Sequence, residues 1–275
     1  MTNALIATLR SISKGMTPAL SKIAETVLSN PEATLYQSIT ELAENSGSSE
    51  ASVMRFCRDQ GFKGFQDFKL TLAKELATDE FNRESEIPSD DVGKLVETAI
   101  IALRETEQLI DRKDIARAAS KLMSADQINC FGVAASGITT QYMAYKMVRL
   151  GLRCRVQSDA HLALMVASTA NKKDVFVVTS SSGSTIDAVQ VAEAAHARGA
   201  FVIAISNRGK SPLVGASSLA LIASWPETPL TGGAFPSKIS QLLIVDALAA
   251  ELIRKNPTCG DMARATAESV SDRSY

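Results

Sequence analysis

Apolar positions along the first 77 residues recur at three- and four-residue spacing, the period of amphipathic helices. Thr17-Pro18 opens one helix, with Thr17 as N-cap, Ile23, Val27 and Leu28 on its inner face, and Asn30-Pro31 as its stop. Ser38 and Glu41 have the spacing of a capping box, which starts a short helix carrying Ile39, Leu42 and Ala43. A turn around Gly47 leads to a helix over 49–60, with Val53, Phe56 and Cys57 facing inward and Gly61 at its end. Residues 62–76 are again amphipathic. The polar stretch 78–90 contains a proline and reads as a linker.

The period then changes. Helical runs over about 92–111 and 114–123 precede five short β-branched runs at 128–133, 152–156, 175–180, 201–206 and 219–224. Helical segments separate these runs, and alternation at this spacing builds βαβ units and a parallel sheet. A final helix spans about 237–254, and the polar residues 256–275 are expected to be poorly ordered. The predicted fold is α/β: an all-α domain over 1–77, a linker over 78–90, a parallel-sheet αβα sandwich over 91–255, and a polar tail.

Composition narrows the chemistry. The 275 residues are 45% hydrophobic and 21% charged, with net charge −1, so binding to nucleic acid through bulk charge is ruled out. Four scattered cysteines without CxxC spacing, and only two histidines, argue against a zinc site or a disulfide framework. No cofactor or metal is expected. No targeting segment is visible and no window reaches the roughly 20 apolar residues that span a bilayer, so a cytoplasmic protein without membrane contact is expected.

Two short helices joined by a glycine turn have the helix-turn-helix arrangement, with 49–60 as the second helix. Ser49 and Ser52 lie near its start, where a recognition helix meets base edges. Arg55 and Arg58 can fork onto guanine or phosphate, while Lys63 and Lys69 can hold the DNA backbone. Residues 1–77 carry eight basic and eight acidic side chains, so one such domain alone would bind DNA weakly, and a dimer or tetramer on paired half-sites is implied. The bland alternative is a helical protein-interaction domain with two ordinary surface arginines.

Two loops at strand ends, 132–140 and 179–187, are rich in hydroxyls. Such residues at helix N-termini beyond strand carboxyl ends suit an anionic ligand. Neither loop is a GxGxxG turn, and the first lacks the Walker lysine. Two serine-rich helix caps are the alternative. His161 follows a strand and can touch the same ligand, or serve as a cap or core residue. Glu227 can accept from sugar hydroxyls or simply be solvated, and Lys238 at the start of the last helix can neutralise a phosphate or face solvent.

Together, residues 22–33 and 41–69 resemble the helix-turn-helix of RpiR-type bacterial regulators. The segments 131–137, 146–154, 158–161, 174–185, 211–213 and 237–248 resemble the sugar isomerase (SIS) domain those regulators carry. The resemblance implies that Ser136, Ser180, Ser182 and Thr185 hold the phosphate of a phosphosugar. His161, Lys238 and Glu227 would line the sugar end, and Arg55 and Arg58 would contact operator DNA. It further implies a homodimer or homotetramer paired through SIS domains, and a repressor of carbohydrate catabolism genes.

Several positions depart from the family pattern. Ala134 stands in place of a usual glycine, Ser181 of a histidine or tyrosine, and Ser184 and Lys238 of frequent arginines. Lysine with the small Ser184 points to an amino-sugar 6-phosphate. The rival function is a sugar-phosphate isomerase. It needs a general base beside the second loop, where no Glu/His pair is evident, since Asp187 and Glu193 lie on the following helix.

Overall fold

The computed structural model describes residues 5–81, 91–225 and 227–271, which divide into two compact units. The first holds the described residues up to Gly93 together with 227–232, and the second holds the rest.

In the first unit, helix α1 (Leu5–Ile12) starts on the Glu75 carboxylate, which accepts the Leu5 and Ile6 amides at 2.6 and 3.2 Å. A carboxylate there complements the positive end of the helix dipole. Helix α2 (Pro18–Ser29) begins at its proline, and Thr17 holds the N-cap position without a side-chain bond. Asn30 ends α2 and caps α3 (Pro31–Tyr36). In α4 (Ile39–Asn45) both capping-box bonds form: Ser38 accepts the Glu41 amide at 3.1 Å, and Glu41 accepts the Ser38 amide at 2.7 Å. The chain turns through Gly47 into α5 (Glu50–Asp59), capped by Ser49.

Val53, Phe56 and Cys57 of α5 are buried with Ile23, Val27 and Leu42 against α6 (Phe65–Phe81). Phe56 and Phe68 meet edge to face at 5.7 Å. Helix α6 starts later and runs further than the 62–76 periodicity predicts, entering the stretch read as linker. Residues 82–90 of that stretch lie outside the described residues.

The second unit opens with α7 (Asp91–Leu109) and α8 (Arg112–Met123). All five predicted strands form: β1 (Gln127–Gly132), β2 (Cys154–Gln157), β3 (Asp174–Thr179), β4 (Phe201–Ser206) and β5 (Leu219–Ile222). They make one parallel sheet in the order β2-β1-β3-β4-β5. Both faces are covered, so the strands alternate between two cores rather than between core and water. Ile128, Cys130, Val175, Val177, Ile203 and Ile205 pack into one core with α8, α9 (Ala135–Arg149) and α13 (Phe235–Lys255). Phe131, Phe176, Val178, Val202 and Ala204 pack into the other with α10 (Ala160–Ser168), α11 (Ile186–Ala197) and α12 (Pro212–Gly215).

The tail expected to be poorly ordered instead forms α14 (Pro257–Glu268). Asn256 caps it, and Cys259 is buried in the same core as α13. The polar composition hid a helix anchored through Cys259 and Ala263.

Candidate functional site

The order of strands reverses at β1, which has β2 on one side and β3 on the other. Ligands of open α/β sheets bind beyond the strand carboxyl ends at such a switch. Strands β1 and β3 stay in register up to Gly132 opposite Thr179, so the two hydroxyl-bearing loops leave the sheet side by side.

The first loop turns sharply into α9. An added Cβ at Gly132 would lie 2.9 Å from the Ser136 carbonyl oxygen, so no side chain fits there. Ala134 has φ +51° and ψ −125°, a conformation that suits glycine, and it supplies no cap to α9. Ser136 is buried in the first turn of that helix.

The second loop is tied to itself. Ser180 Oγ accepts the Gly183 amide at 3.1 Å and lies 3.0 Å from Thr185 Oγ1. Ser182 Oγ accepts the Ser184 amide at 3.2 Å. Gly183 has φ +62°, and a Cβ there would lie 2.1 Å from Ser211 Oγ, so both backbone and space demand glycine. Thr185 stands at the N-cap of α11 without a side-chain cap bond. Thr179 Oγ1, at the loop's root, is buried without a hydrogen-bond partner.

Helix α13 joins the two loops. Lys238 is buried, and its Nζ donates to Ser181 Oγ at 2.6 Å. Gln241 Nε2 donates to the same oxygen at 3.0 Å, while Gln241 Oε1 accepts from Thr139 Oγ1 of α9 at 2.7 Å. Lys238 is therefore held in the protein rather than solvated, and it brings a positive charge to the hydroxyl loop. His161 is exposed in the first turn of α10, which follows β2 at the same sheet edge and is capped by Asp159. Glu227 is half-buried in the 227–232 segment, which groups with the first unit and not with the loops.

Thr139 and Ser181 lie in the two hydroxyl-rich loops expected from the sequence, whereas Gln241, Asn207 and Ser237 were not expected there. The signal was present in the run 237–241 (SKISQ), where polar residues occupy both sides of an otherwise apolar helix. Ser237, Lys238, Ser240 and Gln241 are all buried.

On α5, Arg55 and Arg58 are exposed on the face opposite Val53, Phe56 and Cys57. Arg55 lies 3.7 Å from Asp59, a solvated pair that a phosphate can displace. Ser49 accepts the Ser52 amide at 3.2 Å, and the two hydroxyls are 2.9 Å apart. Lys63 is exposed, and its amide donates to Asp67 at the start of α6. Lys69 does not face outward. It is 3% exposed, and its Nζ donates to the Leu35 and Gln37 carbonyls at 3.1 and 2.9 Å. It closes the end of α3 and lies over the Phe65 ring, so it does not hold a DNA backbone.

Comparison with known proteins agrees with both units. Residues 3–79 match the helix-turn-helix domain of the rpiR family, and residues 121–251 match the SIS domain. An uncharacterised HTH-type transcriptional regulator of Caldanaerobacter subterraneus is 35% identical over 89% of this chain and 88% of its own. HTH-type transcriptional regulator HexR of Pseudomonas aeruginosa is 35% identical over 83% of this chain and 81% of its own. The structure of the Vibrio vulnificus NanR protein complexed with ManNAc-6P superposes with a TM-score of 0.92 at 38% identity, covering 98% of this chain and 99% of that one. The chain belongs to the RpiR family: it is a transcriptional regulator with an N-terminal helix-turn-helix and a C-terminal SIS domain.

Proposed function

We propose that this regulator senses an N-acetylhexosamine 6-phosphate in its SIS domain and represses carbohydrate catabolism genes in the cytoplasm, acting as a homodimer or homotetramer. The carrying observation is the α13 bridge: Lys238 and Gln241 place a buried cation and amide on Ser181, and Gln241 also reaches Thr139 behind the other loop. Ser136, Ser180, Ser182 and Thr185 with the loop amides cradle the phosphate. Lys238 neutralises charge or binds a sugar oxygen, and His161 approaches the sugar end. The similar NanR protein is complexed with ManNAc-6P, which supports an N-acetylated amino sugar. Arg55 and Arg58 read operator DNA, assisted by Ser49, Ser52 and Lys63.

Catalysis is not part of this reading. The groups bonded within the second loop are hydroxyls, backbone amides, Gln241 and Lys238, a set suited to holding an anion.

Thermal shift with N-acetylmannosamine 6-phosphate, glucosamine 6-phosphate and fructose 6-phosphate tests the reading. A ligand at 100 times its Kd stabilises the native state by about 2.7 kcal/mol. N-Acetylmannosamine 6-phosphate is expected to give the largest rise, and Lys238→Met to weaken its binding at least about tenfold, the loss of one charge-assisted bond. No shift with any phosphosugar, or turnover of one, rejects the proposal.

A further inference from the structure

The hydrogen bonds on Ser181 do not end at α13. We propose that occupancy of the hydroxyl loops is passed to α7 through a chain formed by the buried Ser181, Gln241, Asn207, Ser224 and Thr106, with the exposed Glu105 beside its far end. The inference rests on the sensing reading above and names how that site is read out.

Gln241 is the hub. It is 0% exposed, and both hydrogens of its Nε2 are used, on Ser181 Oγ at 3.0 Å and on Asn207 Oδ1 at 2.7 Å. Its Oε1 accepts from Thr139 at 2.7 Å and faces Lys238 Nζ at 3.4 Å. Lysine can only donate, which fixes which end of the amide is oxygen. Asn207 is the next link. Its amide donates to the Ser181 carbonyl at 3.2 Å, and its Oδ1 accepts from Gln241 and from Ser237 at 3.3 Å. Its Nδ2 donates to the Ser224 carbonyl. Ser224 then grips α7 twice: its amide donates to Thr106 Oγ1 at 3.0 Å, and its hydroxyl donates to the Glu105 carboxylate. Thr106 is itself buried and donates to the Ala102 carbonyl at 2.7 Å.

The chain is buried from Ser181 to Thr106. An anion in the loop competes for the Lys238 ammonium and for the Ser181 hydroxyl. Gln241 cannot lose or shift a partner without leaving a polar atom unpaired in a dry site, so Asn207 and Ser224 must adjust with it. The far end is well placed for output. Helix α7 directly follows the 82–90 segment that leads from the helix-turn-helix, and Ser224 lies just before the point where the chain passes into the 227–232 segment of the first unit.

The test uses the full-length chain, N-acetylmannosamine 6-phosphate as probe, calorimetry for its Kd, and hydrogen exchange across 91–109. The probe is expected to slow exchange in α7 by about fivefold or more in the wild type and in Thr106→Ser, which keeps the hydroxyl. Thr106→Val, equal in shape but unable to accept from Ser224, should bind the probe within about threefold of wild type yet show less than about a twofold response in α7. Glu105→Met provides a second variant of similar length, unable to accept from the Ser224 hydroxyl, and its α7 response should also fall. If wild type binds the probe without any response in α7, or if Thr106→Val and Glu105→Met both respond in full, the relay is wrong while sensing stands. If wild type binds no phosphosugar, the sensing reading fails and takes the relay with it.

Discussion

Ala134 carries a cost that its own side chain explains. Its φ of +51° with ψ −125° clashes with a Cβ, and such a residue costs about 1–3 kcal/mol. Replacing it with glycine removes that strain but adds about 0.4–1 kcal/mol of unfolded-state entropy. Ala134 is exposed, so little packing is lost with its methyl. Ala134→Gly is therefore expected to stabilise the protein by roughly 1 kcal/mol, read as a higher denaturant midpoint with an unchanged slope. A lower midpoint would mean that the methyl makes a contact worth more than the strain. This position was legible in the sequence as a departure from a glycine pattern, but its conformation was not, because one residue's φ depends on how the next helix docks. The place of Ser180, Ser182 and Thr185 between a strand and a helix was legible for a related reason: local sequence marks such a turn. Gln241 and Asn207 were not, since their roles rest on partners 60 and 34 residues away.

At the scale of elements, β-branched runs located all five strands, and the 3.6-residue period with its caps located the second helix of the helix-turn-helix. Burial on both faces of a parallel sheet leaves strand-length apolar runs that little else produces. Helix ends were less visible: α6 overran its predicted end and α14 was missed, because neither end is marked by an apolar stripe. Contacts between helices were not legible at all. Helix α9 is pinned to α13 by Lys146 Nζ at 2.5 Å from Asp246 Oδ1, with Tyr142 donating to the same carboxylate at 3.0 Å. The hydrogen bond to Asp246 raises the Lys146 ammonium above its usual 10.5. A raised folded pKa adds stability that is fully present below 10.5 and is lost as pH climbs through the higher folded value. Asp246→Asn should therefore cost about 0.2–1 kcal/mol at neutral pH, the range of a half-exposed pair. The gap between the two proteins should close above the raised pKa. Urea midpoints on both sides of that pH measure it, and a gap that persists there assigns the loss to Tyr142 instead.

For the molecule as a whole, the charge balance determines how DNA is held. Eight basic and eight acidic residues over 1–77 leave no net attraction for a polyanion, and burial of Lys69 removes one of the cations expected to help. On the proposed reading, affinity comes from a few placed cations acting more than once per assembly. Each phosphate contact contributes about −0.9 to the slope of log affinity against log salt. On the proposed reading, Lys63→Ala removes one phosphate contact per head and leaves Arg55 and Arg58 in place. It should weaken binding about equally for all sequences, and should flatten the salt slope by about 1 if one head engages DNA and by about 2 if two heads engage paired half-sites. Arg58→Ala should instead narrow the gap between selected and random duplexes, by about 1–3 kcal/mol per lost guanine fork. Fluorescence anisotropy over a salt series, on a duplex selected from a random pool, separates these outcomes. A slope untouched by Lys63→Ala would place the backbone contacts on a different face of the helix-turn-helix unit.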